Sequence, residues 1–387
     1  MLCILGGVAI FSSTMSKNPA LPLFVRSLGV SKGTVGFIAA ASTVVGIVVS
    51  LPAGMLSDLY GRKRVMLASA FVFATAPFLY LLVHTPWQLV GVRIYHGLAT
   101  AILGPVALAA VADTFEARRG ENMAWYSSAT MVGRFLAPSV GGLLILGHGG
   151  EAASFRWVYL GCGVAGVLTL LLALYLPLSQ RAKQDAPVPR LKESWQHLLY
   201  EARYVVRNRG ILATSLVQAA QYFSFGFLEV YLPLRLTDAG WKPVAIGPLF
   251  TVQVLSTTIS KPLMGRLTDR FGRVALIVTG LLGSAAGMVA IAVAQSYWLL
   301  LLSSGIFGLG LAAVTASTAA LVTDLAHENA YGAAMGVLSS IMDVGQSTGP
   351  MLGGVVAGAF GYFPAFAAVA GLLALTAVVF PLVVRRR

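Results

Sequence analysis

Six ionisable residues stand inside long apolar runs of this chain: Lys17, Arg93, Arg134, Glu229, Lys261 and Asp343. Each costs about 2.5–3.5 kcal/mol against lipid on insertion scales, so all six facing acyl chains would cost roughly 15–21 kcal/mol. They must face an interior, a partner or water, and their types say what they can do there. A buried carboxyl such as Asp343 suits reversible protonation, because desolvation raises its pKa toward working pH. Glu229 competes with it for that role. Arg134 keeps its charge at every pH and is a fixed cation for an anionic ligand or a carboxylate. Asp343 and Arg134 fall about 11–12 residues into their segments, roughly 17 Å along a helix and so near mid-membrane. Glu229 and Lys17 fall nearer one end of theirs. Lys261 sits one turn before Gly265, where it can snorkel or support the adjoining loop. His96 is either a core polar group or a proton relay.

Helical spacing groups these residues with other polar ones. Arg93, His96, Gly97, Thr100 and Gly104 share one helix face, as do Gln218, Gln221, Tyr222, Phe225 and Glu229 on a second helix. Ser339, Asp343, Gln346, Ser347 and Pro350 do the same on a third. Three polar stripes in lipid-length helices imply a wet cavity lined by Arg93, Thr100, Arg134, Gln218, Gln221, Tyr222 and Phe225, with Asn18 beside Lys17. No nucleophile–base pair, metal-ligand spacing or phosphate loop is present, so an enzyme is not expected, and neither a cofactor nor a metal is called for.

Composition dictates the elements that hold these residues. A chain that is 57% hydrophobic and 11% charged departs from soluble domains, in which about 25% of residues are charged. Apolar windows of lipid-crossing length recur, without the short alternating segments of a barrel. Twelve helices are expected, over 2–25, 31–57, 64–84, 87–112, 121–147, 156–178, 209–235, 243–266, 274–294, 297–323, 332–358 and 362–384. Of the 27 Lys and Arg, eighteen fall in one set of connections and only five in the other, a positive-inside bias that puts both termini in the cytoplasm. Trp87, Trp157, Trp241 and Trp298 fall at outer ends, as an aromatic belt would. The net charge of +13 is thus topology, and no nucleic-acid partner is expected. Cys3 and Cys162 sit in apolar segments and suggest neither disulfide nor metal. The N-terminus lacks a signal-peptide pattern, and a short cytoplasmic tail is expected to precede it.

The chain also repeats itself. Gly54-Met-Leu-Ser-Asp58-Leu-Tyr-Gly61-Arg62-Lys63 recurs as Gly265-Arg-Leu-Thr-Asp269-Arg-Phe-Gly272-Arg273, 211 residues later. Pro22/Pro233, Gly29/Gly240, Gly36/Gly247, Gly97/Gly308 and Asp113/Asp324 keep the same offset of 211. At 212, Ala137-Pro138-x-x-Gly141-Gly142 falls on Gly349-Pro350-x-x-Gly353-Gly354. The expected fold class is an all-α polytopic membrane protein with 12 transmembrane helices in two pseudo-symmetric six-helix bundles. Residues 1–178 form the first bundle and 209–387 the second. Residues 179–208 form a cytoplasmic linker. Within it, Trp195, Leu198, Leu199, Ala202, Val205 and Val206 define an amphipathic helix along the inner leaflet.

These motifs carry a resemblance. Gly-x-Leu-x-Asp-x-x-Gly-Arg-Lys between helices 2 and 3 resembles the signature loop of the major facilitator superfamily. Arg93-x-x-His96-Gly97 is similar to that family's arginine motif, with His where Gln is usual. Ala137-Pro138-x-x-Gly141-Gly142 resembles the helix 5 motif of its proton-driven exporters, Ala137 departing from the usual glycine. The resemblance implies a secondary transporter working by alternating access, with helices 1, 4, 7 and 10 lining the cavity. It points most to the drug:proton antiporter branch: proton-coupled export of small amphipathic compounds across the cell (inner) membrane. Uptake or release of an organic anion or lipid headgroup is the alternative, and a non-transporting scaffold or sensor is the remote one.

Roles follow for the remaining residues. Gly54 and Gly61 bracket a reversal at the membrane surface, with Asp58 accepting from a helix start and Arg62 and Lys63 facing headgroups. With Gly265, Asp269, Gly272 and Arg273 this makes a charged latch on the cytoplasmic side. Lys17 and Glu229 are near-equivalent around the pseudo-twofold axis, and their pairing would form an outer gate loosened by protonation. Arg93 and His96 join them as coupling candidates. Pro138, Gly141 and Gly142, with Pro350, Gly353 and Gly354, are expected to bend helices 5 and 11. The partners are a small-molecule substrate, protons and the lipid bilayer, and the chain is expected to be a monomer.

Overall fold

The computed structural model describes residues 1–114, 118–146, 151–178, 208–326 and 331–384. Among them every regular element is helical: thirteen α-helices and one 3-10 turn, Tyr80–Leu82. In chain order the helices are α1 (Leu2–Lys17), α2 (Ala20–Ser27), α3 (Lys32–Tyr60), α4 (Arg62–Leu79), α5 (Pro86–Thr114), α6 (Arg119–Leu146) and α7 (Glu151–Tyr175). The second repeat contributes α8 (Arg209–Asp238), α9 (Pro243–Phe271), α10 (Arg273–Val293), α11 (Tyr297–Leu325), α12 (Tyr331–Phe360) and α13 (Tyr362–Val384). Ten of these helices are long and apolar enough to cross a membrane. Helices suit that solvent because each backbone N–H and C=O is satisfied within the segment. The expected amphipathic helix at Trp195–Val206 lies outside the described residues.

The repeat is visible in the backbone. Gly29 and Gly240 adopt φ of 77° and 86°, and Gly61 and Gly272 both adopt 91°, values that a side chain resists. A Cβ on Gly97 would come 2.8 Å from the Ser42 carbonyl oxygen, and one on Gly308 2.5 Å from that of Gln253. Both pairs keep the 211-residue offset, so each repeat brings its second and fourth long helices together at the same glycine.

Two expectations about element boundaries need correction. The helix expected over 2–25 is two helices, α1 and α2, with Asn18 extended between them (φ −119°, ψ 124°). Pro19 is the cause: it has no N–H to donate and pushes the residue before it out of the α region. Val230 holds the matching place in the second repeat, and α8 runs unbroken from Arg209 to Asp238. The turn between α3 and α4 is also tighter than a stretch bracketed by Gly54 and Gly61. Helix α3 continues to Tyr60 and α4 begins at Arg62, so Gly61 alone makes the reversal. Gly54 and Gly265 are helical, and a Cβ on either would meet open space.

Backbone contacts divide the chain into two compact units. The first comprises Met1–Ser31, Phe37–Val188 and Leu232–Thr251. In it α1 packs on α6 and α7, and α4 on α5 and α7. Leu5, Ala9, Met66, Phe73, Leu103 and Val106 are buried in its core. The start of α9 belongs here too. A Cβ on Gly247 would collide with the Pro138 carbonyl oxygen, and Thr251 Oγ1 donates to the Phe135 carbonyl at 2.8 Å. The second unit comprises Lys32–Gly36, Pro189–Tyr231 and Val252–Arg387. There α10 packs on α11 and α13, and Ile211, Val322, Ala334 and Leu338 form a small core. The first turn of α3 belongs to this unit, with the Lys32 carbonyl accepting from Tyr231 Oη at 2.8 Å. Val164, Leu168, Leu171 and Leu174 on α7 and Leu372, Leu375, Val379 and Leu382 on α13 are exposed. Apolar exposure on that scale suits lipid rather than water.

Candidate functional site

Polar side chains concentrate in four places, the first being the turns at Gly61 and Gly272. Arg62 Nε donates to Asp113 Oδ2 at 3.0 Å, Nη1 donates to Ser57 Oγ, and Nη2 pairs with Asp58 Oδ1. The second repeat builds the same cluster: Arg273 Nε donates to Asp324 Oδ2 at 3.0 Å, and Nη1 pairs with Asp269 Oδ1. Asp58 therefore does not cap α4, whose start has no side-chain cap, and Arg62 is engaged by carboxylates rather than turned only to headgroups. Lys63 is half-buried beside it. Each arginine ties the turn to the C-terminal end of a helix, through a carboxylate 51 residues on, in α5 for Arg62 and in α11 for Arg273. The sequence reading assigned no role to Asp113 or Asp324. Their appearance in the 211-residue register was the signal that could have found them.

The second place is the middle of the first unit. Arg93 is 2% exposed, and its Nη2 donates to the Ala39 carbonyl at 2.7 Å. Its Nε and Nη1 make no hydrogen bond among the described residues. His96, also buried, places Nδ1 3.2 Å from Tyr80 Oη, and Tyr80 stacks on Tyr159 at 4.2 Å. Phe73 meets the imidazole edge-on at 6.1 Å. Thr100 is half-buried, and its hydroxyl returns to the Gly97 carbonyl at 3.3 Å. Arg93 and His96 thus lie in an aromatic-walled core instead of on an accessible stripe. The spacing groups these residues on one helix face but does not say how tightly α3, α4 and α7 cover it.

The third is the seam between α8 and α12 in the second unit. Gln346 Nε2 donates to Glu229 Oε2 at 3.3 Å, so two of the expected stripes meet here. Close backbone approach makes this possible: a Cβ on Gly345 would strike the Ala219 carbonyl, and one on Gly349 that of Phe223. Tyr222 and Phe225 are half-buried and touch edge-on at 5.9 Å. Asp343 is half-buried, its carbonyl taking the Ser347 hydroxyl at 2.8 Å. Gln218 and Gln221 turn away from this seam, contrary to the single cavity face expected for them. Gln218 Oε1 accepts from Thr318 Oγ1 of α11, and Gln221 Nε2 donates to Ser284 Oγ of α10 at 3.0 Å. Both are buried packing residues.

The fourth place is α6, where Arg134 is exposed. At the end of α1, Lys17 is half-buried and Asn18 is 5% exposed. Lys17 belongs to the first unit and Glu229 to the second. Lys261 is exposed on α9. Pro138 and Pro350 lie inside unbroken helices. The glycines that follow them are contact points: a Cβ on Gly141 would come 3.3 Å from Met15 Cγ, and one on Gly142 2.8 Å from the Pro243 carbonyl oxygen. On α12, Gly353 and Gly354 leave room for the Phe227 ring and the Tyr231 hydroxyl.

Two sequence repeats of membrane-length helices, with ionic turns and polar groups held inside, define a polytopic α-helical transporter. Sequence comparison gives the family: the chain belongs to the Major Facilitator Superfamily, whose profile matches residues 2–242 and again 214–387. It is 26% identical over 394 residues to the multidrug resistance protein MdtG of Enterobacter lignolyticus, covering 99% of this chain and 90% of that one. To the multi-drug resistance efflux pump PmrA homolog of Lactococcus lactis it is 24% identical over 368 residues, covering 91% and 86%. Among solved structures, the nucleoside transporter NupG matches with a TM-score of 0.81 at 16% identity, over 100% of this chain and 98% of that one. That likeness speaks for the fold alone.

Proposed function

We propose that this protein exports small amphipathic compounds across the inner membrane by alternating access, coupled to proton entry, as a monomer with both termini cytoplasmic. Residues 1–178 and 209–387 are the moving bodies and 179–208 the tether. The observation that carries the coupling is the Glu229–Gln346 contact at 3.3 Å. It joins a half-buried carboxylate on α8 to an amide on α12, two helices whose glycines leave no slack between their backbones. Protonating Glu229 removes the charge to which Gln346 donates, and a charge-assisted hydrogen bond is roughly twice as strong as a neutral one. Tightly packed helices pass such a change on as a shift of the whole contact. Asp343, one helical turn before Gln346 on α12, is the second candidate carrier.

The relatives named for multidrug efflux support the direction and the amphipathic substrate. The ionic turns at Asp58–Arg62 and Asp269–Arg273 serve as the inner latch, and the helices bearing Pro138 and Pro350 flex as the bodies rock. The test is flux in proteoliposomes with an imposed pH gradient. Wild type should accumulate a fluorescent amphipath against its gradient. Glu229→Gln should lose proton-driven accumulation yet keep substrate exchange without a gradient, while Asp343→Asn retains both. Gradient-independent movement in wild type would end the coupling reading. The reverse pattern between the two variants would move the coupling to Asp343.

A further inference from the structure

Helix α6 is exposed on two opposite sides. One side carries Trp125, Val132, Leu136 and Leu143, all exposed and apolar. About 180° around the helix, at 100° per residue, stand Ser127 and Arg134, seven residues apart and also exposed. The edge between them is shut against α1, where a Cβ on Gly133 would collide with the Gly7 carbonyl. A helix with one apolar and one polar exposed side divides lipid from water, and Arg134, near its middle, is on the wet side.

The first unit leaves Arg134 nothing to neutralise it. Its carboxylates with described side chains are engaged elsewhere: Asp58 and Asp113 by Arg62, Glu121 by Arg118 at 3.9 Å, and Asp238 by Arg26. Arg134 itself makes no hydrogen bond or ion pair among the described residues. The repeat shows what is missing. Gln346 stands at the register of Arg134, by the 212-residue offset that relates Pro138 to Pro350. Glu229 stands at the register of Asn18, by the 211-residue offset. In the second unit the α12 side chain meets a carboxylate of its own chain. In the first, the donor has become a guanidinium and the carboxylate has become an amide.

We infer that Arg134 is the counter-charge for an acidic group on the transported compound, so that the protein prefers amphipathic carboxylates over amphipathic cations. The guanidinium fork matches a carboxylate with two parallel hydrogen bonds, which a point charge cannot do. This inference rests on the transport reading above, and the experiment separates the two. Proteoliposomes with an imposed pH gradient are offered carboxyfluorescein or ethidium, with wild type, Arg134→Gln and Arg134→Lys.

Wild type should move carboxyfluorescein. Arg134→Gln should raise its KM by about tenfold or more, as loss of a charge-assisted pair predicts, while ethidium transport holds within about twofold. Arg134→Lys should fall between, and it carries the same selective test should the Gln variant fail to fold. If Arg134→Gln slows both dyes equally or changes neither, or if wild type moves only ethidium, the inference is overturned and the transport reading stands. If wild type moves neither dye, both fall together.

Discussion

At the turn after α3, Arg62 divides its guanidinium among Asp113, Ser57 and Asp58; at the turn after α9, Arg273 divides its own between Asp324 and Asp269. The backbones agree closely, with Gly61 at φ 91°, ψ 140° and Gly272 at φ 91°, ψ 146°. The surroundings differ. Asp113 is 30% exposed where Asp324 is 50% exposed, and the hydroxyl of Ser57 is replaced by that of Thr268, which is buried without a hydrogen bond among the described residues. Duplication has kept the covalent pattern and the turn but loosened the ion cluster in the second copy. Water screens the second cluster more, and exposed ion pairs contribute little. The first copy should therefore be the stronger ion cluster, although the two motifs read alike.

The largest effects should be the ones the copies share. Their glycines occupy a backbone region that is essentially closed to other residues, with strain of order 1–3 kcal/mol for a side chain there. Gly61→Ala and Gly272→Ala should therefore lower the thermal midpoint of the detergent-solubilised protein by similar amounts, compared at one scan rate because unfolding of such proteins is seldom reversible. A large inequality between them would show that the turns are not equivalent after all. The arginines should then separate the copies. Arg62→Ala should cost about 1–2 kcal/mol and Arg273→Ala under about 1, since each strands two carboxylates but those of the first cluster are less hydrated. Equal losses would mean that exposure does not set the difference.

How the sequence announced these features explains where it failed. Periodicity and the 211-residue offset were enough for most of the helices, the duplication and the pair Gly61 and Gly272, because each of those is a local or translational property, but not to see that Gly54 and Gly265 stay helical. The break at Asn18–Pro19 was missed because the apolar run continues through it; the proline's lost donor mattered more than the hydropathy around it. The stripe holding Gln218, Gln221 and Glu229 was read as one surface. A helix face spans a wide arc, and its members meet α11, α10 and α12 respectively. Nothing in one helix's spacing says which neighbour covers which part of that arc. Asp113 and Asp324 lie 51 residues from their arginines, so the repeat register marks them but only the tertiary fold pairs them.

The smallest expected effect tests the comparison most finely, because it turns on a single hydroxyl. Ser57 Oγ donates to the Gly54 carbonyl at 2.7 Å and accepts from Arg62 Nη1, so both its hydrogen-bonding functions are used. Removing it in Ser57→Ala should cost about 1 kcal/mol and weaken the hold on Arg62. Thr268 occupies the same register but shelters a hydroxyl that gains nothing for its desolvation. Thr268→Val keeps the shape and deletes that burden, so it should be neutral or stabilising by up to roughly 1 kcal/mol. Opposite signs at two equivalent positions are the signature of one polar site that is satisfied and one that is not. If both substitutions destabilise to the same degree, Thr268 has a partner that the folded chain acquires in the membrane, and the second cluster is as well built as the first.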